Sequence, residues 1–503
     1  MKITFVYPDV LLHRPDWTGY YYHGIGSLSS VLKDAGHQTS LIHITQPVER
    51  REFMDMVKRE SPDLIGFSST SHMFPLVKTF ASWLAEEKTG ITVICGGIHA
   101  AIAPEESIAV NGIDMICRGE GEAPLLELCR KMAGGEDIST IRNLWVKRGG
   151  EVIRNPLRPL MDDLDKLPLP DRDIFDYPNL YSEREGRGSF LVGRGCPYDC
   201  TYCCNHLLRK IYGTEGKPIR FRSVGNTIDE IKHVVRKYPF IHTLIFDDDI
   251  LFLKKAWSEE FARRYSDEIG LPFTCNARAN LVTRETVGLL RKAGCCHVKF
   301  GLESGNEHIC NDVLNRQLTN EHIRKAFALC KEAGLLTESF NMVGIPGETP
   351  GAILDTVKLN AAIKVDKMQV SIYQPYPGTK LAELCEQKYS LKARDLASDF
   401  FSPSTVKLDT LSASQTLMFR DYFKVLVRYY QGVLRLPAGV SRAVVKISDA
   451  VLSSVLVSKA LNLIYHPLNY LYRRSLVVRY SRKAAVNRPA APGKTDNAQG
   501  TAA

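Results

Sequence analysis

The chain has 503 residues, 65 Lys and Arg against 56 Asp and Glu, and an apolar fraction of 44%. This length exceeds one ordinary domain, so two or three are expected. No uninterrupted apolar run of about 18 residues appears, which argues against a conventional transmembrane helix, and the start MKITFVYP predicts a strand, not a signal peptide. We therefore expect a cytoplasmic protein whose 13 cysteines bind a metal or cofactor or lie buried, without disulfides.

Strand-like and helix-like segments alternate through about the first 130 residues. The predicted strands are KITFVYP, TSLIHI, DLIGFSS, TVICGG and DMICRGE. Regular β-α alternation predicts a parallel sheet with helices on both faces. In such sheets ligands bind beyond the carboxyl ends of the strands. We therefore expect a doubly wound, Rossmann-like α/β domain over residues 1–135.

A proline-rich segment and a second β-α series follow. The segment 136–185 contains five prolines in NPLRPLMDDLDKLPLPDRDIFDYP and is predicted to be an ordered linker. From 186 to 400 the predicted strands are SFLVGRG, HTLIFDDDI, FTCNARAN, HVKFGLESG, TESFNMVGIPG and KMQVSIYQPYPG. Six strand-helix units predict a partial (β/α)6 barrel with its chemistry at the carboxyl ends of the strands.

Beyond about residue 400 the strand pattern ends, and a helical basic region is predicted over 401–485. Twelve Lys and Arg against two Asp lie between Arg420 and Lys483, so this region carries the whole positive excess. Its apolar runs, tyrosines and basic residues suit an anionic membrane surface, or equally a helical cap on the barrel. No nucleic-acid-binding module is visible, and no such partner is expected. Residues 486–503 are predicted to be disordered.

The stretch RGCPYDCTYCCNH contains four closely spaced cysteines. Cys196, Cys200 and Cys203 follow the first predicted barrel strand, and soft thiolates select zinc, copper(I) or an iron–sulfur cluster. A structural zinc site needs four ligands, usually as two close pairs, and here only His206 is near enough to be a fourth. A four-iron cluster held by three cysteines instead leaves one iron open to substrate. Cys204 is expected to point away from the site.

The spacing C-x3-C-x2-C, with Tyr202 before the last cysteine, resembles the signature of the radical S-adenosylmethionine (SAM) superfamily. The resemblance implies a four-iron four-sulfur cluster on Cys196, Cys200 and Cys203. It also implies that SAM chelates the open iron and is cleaved, by one electron, to methionine and a 5′-deoxyadenosyl radical that abstracts hydrogen from the substrate.

Later strands match further elements of the same superfamily. The resemblance implies that Asp247 and Asp248 in FDDDI contact the SAM amino group and that Glu303 in GLESG accepts bonds from the ribose. Arg278 in CNARAN matches an arginine near the SAM carboxylate, with a structural ion pair as the alternative. Gly344 belongs to NMVGIPGET, which resembles a glycine-rich element near the adenine ring.

The first domain and the linker resemble the cobalamin-binding domain that is joined to a subset of radical SAM enzymes. The matching pieces are GFSST, CGGIHAAIAPEE, CRGEGEAPLLEL and DLDKLPLPDRD. The resemblance implies that the backbone at Gly96 and Gly97 lies against the nucleotide tail of cobalamin. Ser68 and Ser69 are implied donors to the benzimidazole, with strand-end turn residues as the alternative.

Histidine ligation of cobalt from below is not expected, because the motif D-x-H-x-x-G is absent and His13 and His23 stand in other contexts. His99 suits a capping position as well as a place beside the ligand. Four aromatic residues are given equal weight as a surface for the corrin ring and as core contacts: Trp17, Tyr20, Tyr21 and Tyr22.

The sequence thus predicts a cobalamin-dependent radical SAM enzyme that methylates an unactivated carbon of a hydrophobic or lipid-like metabolite. A flavodoxin or ferredoxin is the expected reducing partner, and attachment to the inner face of the membrane is expected if the basic region contacts lipid. The alternatives are an oxidative cyclase or ring-rearranging enzyme without methyl transfer, and a non-catalytic zinc-binding module.

Overall fold

The computed structural model describes residues 1–11, 14, 16–213, 216–389, 404 and 406–464. His13, the predicted end of the barrel at 390–400, the basic segment beyond residue 464 and the predicted disordered tail lie outside the described residues.

The first sheet has seven strands in the order β2-β1-β3-β4-β5-β6-β7. Their bounds are β1 Lys2–Pro8, β2 Gln38–Ile44, β3 Leu64–Ser68, β4 Thr92–Gly96, β5 Met115–Cys117, β6 Leu144–Arg148 and β7 Glu151–Arg154. The first five strands are parallel, as the β-α alternation predicts. Strands β6 and β7 form an antiparallel hairpin that extends this sheet from within the segment predicted as linker.

Helices cover both faces of the sheet. They are α1 His23–Asp34, α2 Arg50–Glu60, α3 Phe74–Glu86, α4 Ile98–Ile102, α5 Pro104–Ala109 and α6 Glu122–Gly134. The strand order reverses at β1, which pairs with β2 on one side and β3 on the other. Such a switch point leaves a crevice beyond the strand ends, where ligands bind in open α/β sheets.

The second sheet has six parallel strands in the order β15-β14-β13-β12-β11-β8 and does not close. Its strands are β8 Arg187–Phe190, β11 Thr243–Phe246, β12 Phe273–Ala277, β13 Cys295–Glu303, β14 Leu336–Val343 and β15 Lys367–Ile372. A short hairpin follows β8 and consists of β9 Gly193–Arg194 and β10 Arg220–Phe221. The predicted partial barrel is therefore confirmed.

Seven helices accompany the second sheet, and the sequence marks their ends. They are α7 Cys204–Tyr212, α8 Val224–Lys237, α9 Lys255–Glu268, α10 Arg284–Ala293, α11 Asn320–Glu332, α12 Pro350–Ile363 and α13 Lys380–Tyr389. Thr283 and Thr319 cap α10 and α11 through reciprocal side-chain bonds, which satisfies otherwise unpaired N–H groups of the first turn.

In the described part of the chain after the barrel, the structure has three helices: α14 Ala413–Val433, α15 Ala438–Leu452 and α16 Val455–Ile464. Apolar residues of α14 pack on α12 and β15, with Phe419 and Phe423 fully buried there. Among the described residues no single helix is long and apolar enough to cross a membrane. The pair α15 and α16 together reaches that length and hydropathy, but the two helices are bent by 78° at the break between them.

The two sheets meet where α7 touches the end of β5. The Tyr212 hydroxyl accepts a bond of 2.6 Å from the backbone N–H of Glu120. Gly119, at a φ of +87°, lies so close that a Cβ there would overlap this hydroxyl. The contact therefore requires glycine for two reasons, the left-handed backbone and the approach of the tyrosine.

We expect Gly119→Ala to destabilise the protein by about 3 kcal/mol, because it combines backbone strain with a displaced Tyr212. Gly150→Ala is the matched control: its φ is +86°, but open space surrounds it, so the strain alone should cost about 1 kcal/mol. Urea unfolding of both variants measures the difference, and equal losses would contradict the proposed role of the contact.

Candidate active site

The three cysteines of the C-x3-C-x2-C stretch lie on one loop between β9 and α7. Cys200 is buried, whereas Cys196 and Cys203 are half-buried, and the N–H of Cys203 donates to the carbonyl of Cys200 at 3.1 Å. Arg209 on α7 donates to the carbonyls of Cys196 and Tyr198. The helix that follows the loop therefore holds its backbone in place. Burial raises the pKa of the Cys196 thiol to about 11.

Cys204 and His206 directly follow the loop. Cys204 is the first residue of α7, and its thiol interacts electrostatically with the Cys203 thiol. The exclusion of Cys204 from the cluster ligands stays a prediction. His206 is buried in the same turn. Within the described ranges no three His, Cys, Asp or Glu side chains converge on the position of a single metal ion.

Arg278, at the end of β12, lies directly beside the cysteine loop. Its Nη1 is 3.9 Å from Cys200 Sγ, and its guanidinium carbon is 3.5 Å from the centre of the Tyr198 ring. Its Nη2 donates to the carbonyl of Arg316, and its Nε is buried without a hydrogen-bond partner. Arg278 thus places a buried positive charge next to a thiol, and no carboxylate pairs with it among the described residues.

Glu303, at the end of β13, is connected to the same loop through Arg316. Glu303 has a φ of +63° at an irregularity of the sheet, and its Oε1 is 3.6 Å from Arg316 Nη1. Arg316 also donates to the Tyr202 hydroxyl and to the carbonyl of Gly301. Burial raises the pKa of Glu303, although the Arg316 charge opposes this shift. Sequence reasoning missed Arg316, because its partners lie far away in the chain.

The three aspartates after β11 have three different surroundings. Asp248 is buried and accepts bonds from the backbone N–H groups of Val192 and Gly193, the latter at 2.6 Å. Burial raises the pKa of Asp248 to about 7. Asp247 is half-exposed and lies 3.2 Å from His23 of the front domain. Of the two predicted SAM contacts, only Asp247 thus has a carboxylate that accepts no hydrogen bond from the backbone.

Asp249 is the aspartate that adjoins the cysteines. Its carboxylate accepts a bond of 2.9 Å from Asn205 on α7, and its charge acts on the thiols of Cys196 and Cys203. The sequence contained a signal for this position, because alternate residues of an extended segment share one side. Asp247 and Asp249 therefore belong together, and Asp248 points away from both.

The loop after β14 is held by a buried carboxylate. Gly344 has a φ of +77°, and its N–H donates to Glu348 at 2.8 Å, as does the N–H of Ile345 at 3.2 Å. Burial raises the pKa of Glu348 to about 8, and its second oxygen has no hydrogen-bond partner. Glu348 was not predicted. It fixes the shape of the glycine-rich element in which Gly344 was the predicted site residue.

A cavity of about 530 Å³ lies between the front domain and the start of the barrel. The front domain contributes Ser68, Gly96 and Gly97, the linker contributes Leu160 and Leu164, and the barrel contributes Arg194, Asn205 and Asp247. The cavity therefore has its floor at the switch point of the first sheet. One of its walls is formed by residues that flank the cysteine loop, so two of the predicted sites adjoin.

The predicted front-domain residues have unequal access to this cavity. The Ser68 hydroxyl bonds to Tyr22, and both residues line the cavity. Ser69 is fully buried behind it, and a Cβ at Gly97 would come within 2.7 Å of the Ser69 backbone. Gly97, at a φ of +89°, is thus required by a neighbouring loop of the protein itself. Gly96 lines the cavity and has ordinary space around its Cα.

Some of the predicted aromatic and histidine residues line the cavity, and others do not. Among the four aromatics only Tyr22 lines the cavity, where it stacks on Tyr7 with ring centroids 4.8 Å apart. Trp17 and Tyr21 are buried and make core contacts, Trp17 with Tyr181 and Tyr21 with Phe175 and Tyr177. Tyr20 packs edge-on against Trp17 but is 47% exposed. His99 is buried against Phe74 away from the cavity, so His23 is the one histidine among the described lining residues.

Carboxylates of the front domain bind arginines of the barrel at the edge of this cavity. Glu120 accepts bonds from Arg194 at 2.9 Å and from Arg220 at 2.8 Å, and Glu122 accepts from Arg194 at 2.6 Å. Burial alone would raise the pKa of Glu120, but the bonds from Arg220 and Arg194 lower it below its ordinary value. Arg194 stands two residues before Cys196, so this network positions the cysteine loop.

The residues present fit the three cofactors that the sequence predicts. Three thiols on one loop form a donor set for an iron–sulfur cluster, whose thiolates bind different irons and need not converge on one point. Buried cations with unpaired Nε groups, Arg278 and Arg316, lie next to it and suit an anionic ligand. The glycine-floored, largely apolar cavity suits a large flat cofactor.

Two family models match the chain. The model of the radical SAM superfamily matches residues 190–359, and the model of the B12 binding domain matches residues 19–129. The first range begins at the end of β8 and includes the cysteine loop. The second includes all front-domain residues that line the cavity except Phe5.

Known proteins resemble the chain over most of its length. The chain is 27% identical to an uncharacterised methyltransferase of Pyrococcus horikoshii, over 76% of this chain and 83% of that one. It is 24% identical to the anaerobic magnesium-protoporphyrin IX monomethyl ester cyclase of Rubrivivax gelatinosus, over 76% and 69%. The solved structure of OxsB, a cobalamin-dependent SAM radical enzyme with aqua-cobalamin and SAM bound, superposes with a TM-score of 0.65 at 15% identity, over 94% and 75%.

The protein is therefore a radical SAM enzyme. More narrowly, it belongs with the radical SAM enzymes that carry an N-terminal B12-binding domain, the class that includes cobalamin-dependent methyltransferases. This confirms the predicted resemblance, fold class and enzyme class. It also confirms, for the class, the predicted cofactor set of a four-iron four-sulfur cluster, SAM and cobalamin.

Glu348→Gln should change how stability depends on pH. The folded-state pKa of Glu348 is raised to about 8, so its carboxyl costs nothing below its unfolded pKa and destabilises the fold increasingly as pH rises toward 8. The melting temperature of the wild type should therefore fall between about pH 5 and 8 more steeply than that of the variant. Glu338→Gln, at a half-buried carboxylate on β14, is the control. Parallel curves for wild type and Glu348→Gln would refute the assignment.

Proposed function

We propose that the protein is a cobalamin-dependent methyltransferase that acts on an unactivated carbon of a hydrophobic or lipid-like metabolite. The observation that carries the proposal is the position of the cavity. Its floor is the switch point of the B12-binding domain, and Arg194 and Asn205, which flank the cysteine loop, form part of its wall. When bound, the cluster supplies the electron that cleaves SAM to a 5′-deoxyadenosyl radical, and cobalamin supplies the methyl group.

In this proposal the cysteine loop and its neighbours bind the cluster and SAM. Cys196, Cys200 and Cys203 hold the cluster, and Arg209 keeps their loop in shape. Asp247 and Asp249 are the acids available to the SAM ammonium, because the carboxylate of Asp248 already accepts backbone bonds. Asp248 accordingly serves as a positioning residue.

The other predicted SAM contacts come from neighbouring strand ends. Arg278 is the cation available to the SAM carboxylate, since no carboxylate pairs with it in the described residues. Arg316 orients Glu303 toward the ribose, and Glu348 presents the backbone around Gly344 to the adenine. Each role depends on a side chain at the carboxyl end of a barrel strand, where such folds place their chemistry.

The front-domain residues bind cobalamin in two ways. Ser68, Gly96 and Gly97 face the cavity directly, whereas Ser69 shapes the loop behind it, where its backbone leaves no room for a Cβ at Gly97. The apolar walls include Leu160 and Leu164 of the linker, which suits a hydrophobic metabolite beside the cofactor. A flavodoxin or ferredoxin is the proposed source of electrons.

A cyclase or ring-rearranging enzyme is the second candidate, because the relative in Rubrivivax gelatinosus is a cyclase. The two functions differ in the fate of SAM. Methyl transfer converts one SAM to S-adenosylhomocysteine for each product, whereas cyclisation without methyl transfer yields none. SAM with a deuterated methyl group, supplied to the anaerobically reconstituted enzyme, therefore separates the candidates through the label in the product.

Replacing Cys196, Cys200 or Cys203 with alanine should abolish cluster assembly and SAM cleavage to 5′-deoxyadenosine. The matched control is Cys204→Ala, which removes a neighbouring thiol that is not a proposed ligand. Iron and sulfide content and the 5′-deoxyadenosine yield after anaerobic reconstitution are the measurements. A full cluster in Cys200→Ala, or zinc in place of iron and sulfide in the wild type, would refute the proposed role of the loop.

Cobalamin should bind without a histidine below cobalt. The described lining residues contain one histidine, His23, and its Nε2 is 3.2 Å from Asp247. Electron paramagnetic resonance of the cob(II)alamin form should therefore lack a nitrogen superhyperfine splitting, in the wild type and in His23→Ala alike. A splitting that disappears in His23→Ala would contradict this prediction, and failure to bind hydroxocobalamin would contradict the function proposed for the cavity.

A further inference from the structure

Exposed apolar side chains are concentrated in the C-terminal helices. Of the fifteen large hydrophobic side chains that are exposed in the described residues, eleven lie between Val425 and Ile464. Leu456 and Leu463 are the most exposed, at 78% and 76%. We call the exposed large apolar side chains of α15 and α16 the C-terminal apolar face: Val440, Ile447, Val451, Val455, Leu456, Leu463 and Ile464. Such a concentration marks an interaction surface.

The helices that carry this face are bound to the protein largely through polar groups. Asp449 of α15 accepts bonds from Lys358 and from Tyr430, and the carbonyl of Ser453 accepts from Gln415 at 2.8 Å. On α16, Asn462 donates to the carbonyl of Ser414 at 2.8 Å.

A helix packed on a soluble protein normally buries its apolar side and exposes its polar side. Here Val445, Leu452 and Leu461 pack inward, but the larger apolar surface faces outward. This orientation indicates that a second apolar phase covers the outer side of α15 and α16.

The positive charge around the C-terminal apolar face indicates an anionic partner. Arg435, Arg442, Lys446 and Lys459 are all exposed. The single acid between residues 434 and 464 is Asp449, and it is paired inward with Lys358. A second copy of this chain would oppose one basic face to another and meet repulsion. A surface with an apolar interior and negative groups at its border fits both features.

We propose that the C-terminal apolar face inserts into the surface of an anionic lipid bilayer. The geometry indicates a helix pair that lies in the interface: α15 has 15 residues, too few to span a bilayer, and α16 turns away from it by 78°. Apolar residues enter the acyl boundary while neighbouring Lys and Arg contact lipid phosphates. Each basic residue near such a surface strengthens binding about fivefold.

Co-sedimentation of the full-length protein with vesicles tests the proposal. Vesicles of equal parts phosphatidylglycerol and phosphatidylcholine should bind the protein at least about tenfold more tightly than pure phosphatidylcholine, with a loss at high salt. The triple variant Ile447→Ser, Leu456→Ser, Leu463→Ser should lose about tenfold or more of this binding. The matched control, Phe240→Ser, Leu336→Ser, Leu384→Ser, removes three exposed apolar side chains elsewhere and should bind as the wild type does.

Three outcomes would overturn the proposal: equal binding by the two triple variants, no binding of the wild type at low salt, or a wild-type dimer that the first triple variant converts to a monomer. A variant that ends after Ile464 tests whether the last residues of the chain itself cover the C-terminal apolar face. If it binds vesicles and the full-length protein does not, the chain's own last residues cover the face, and the proposal fails. Iron and cobalamin content, measured on the same samples, should be equal in all variants, so a failed methyltransferase assay leaves this test unaffected.

Discussion

The ion network at the domain junction is the interaction on which the active site depends. Glu120 accepts from two arginines of the barrel, and Arg220, one of these, is almost fully buried. An exposed ion pair contributes about 0–1 kcal/mol, but removing one partner of a buried pair costs about 3–5 kcal/mol, because the remaining charge stays unsolvated. Separating the two domains at this junction is therefore costly. Since Arg194 immediately precedes the cysteine loop, the same bonds set the distance between that loop and the floor of the cavity.

Two buried carboxylates accept hydrogen bonds from backbone N–H groups at the ends of the barrel strands. Loops that leave a parallel sheet lose the partners of their backbone N–H groups, and buried N–H groups require acceptors. Asp248 supplies them after β8, and Glu348 supplies them after β14. Both acids are fully buried, and their pKa values are raised to about 7 and about 8. Two buried acids thus hold the backbone of the loops that follow these strands.

The sequence was sufficient for the features that depend on local patterns. The parallel strands of both sheets follow from β-α alternation, whereas the hairpin of β6 and β7 does not. The cysteine loop follows from its spacing and its place after the first barrel strand. Contacts between distant segments were not accessible in this way. The role of Gly97 depends on the Ser69 backbone in another loop, and Arg316 joins Glu303 to Tyr202 across more than a hundred residues. The backbone bonds of Asp248 were equally inaccessible, because a row of three acids does not show which one turns inward.

The arrangement of the C-terminal helices connects the proposed lipid-binding face to the proposed lipid-like substrate. Helix α14 begins beside the carboxyl ends of the barrel strands, which we call the barrel mouth. There Thr416 adjoins Gly344, and the Thr410 hydroxyl donates to the carbonyl of Glu348 at 2.6 Å. Helix α15 runs back along α14, and α16 then contacts Ser414 at its start. The most exposed residues of the C-terminal apolar face therefore lie near the barrel mouth, not at the far end of α14, which is about 30 Å long. A lipid-like substrate would then have a short path from the bilayer to the site, without crossing water as a free molecule.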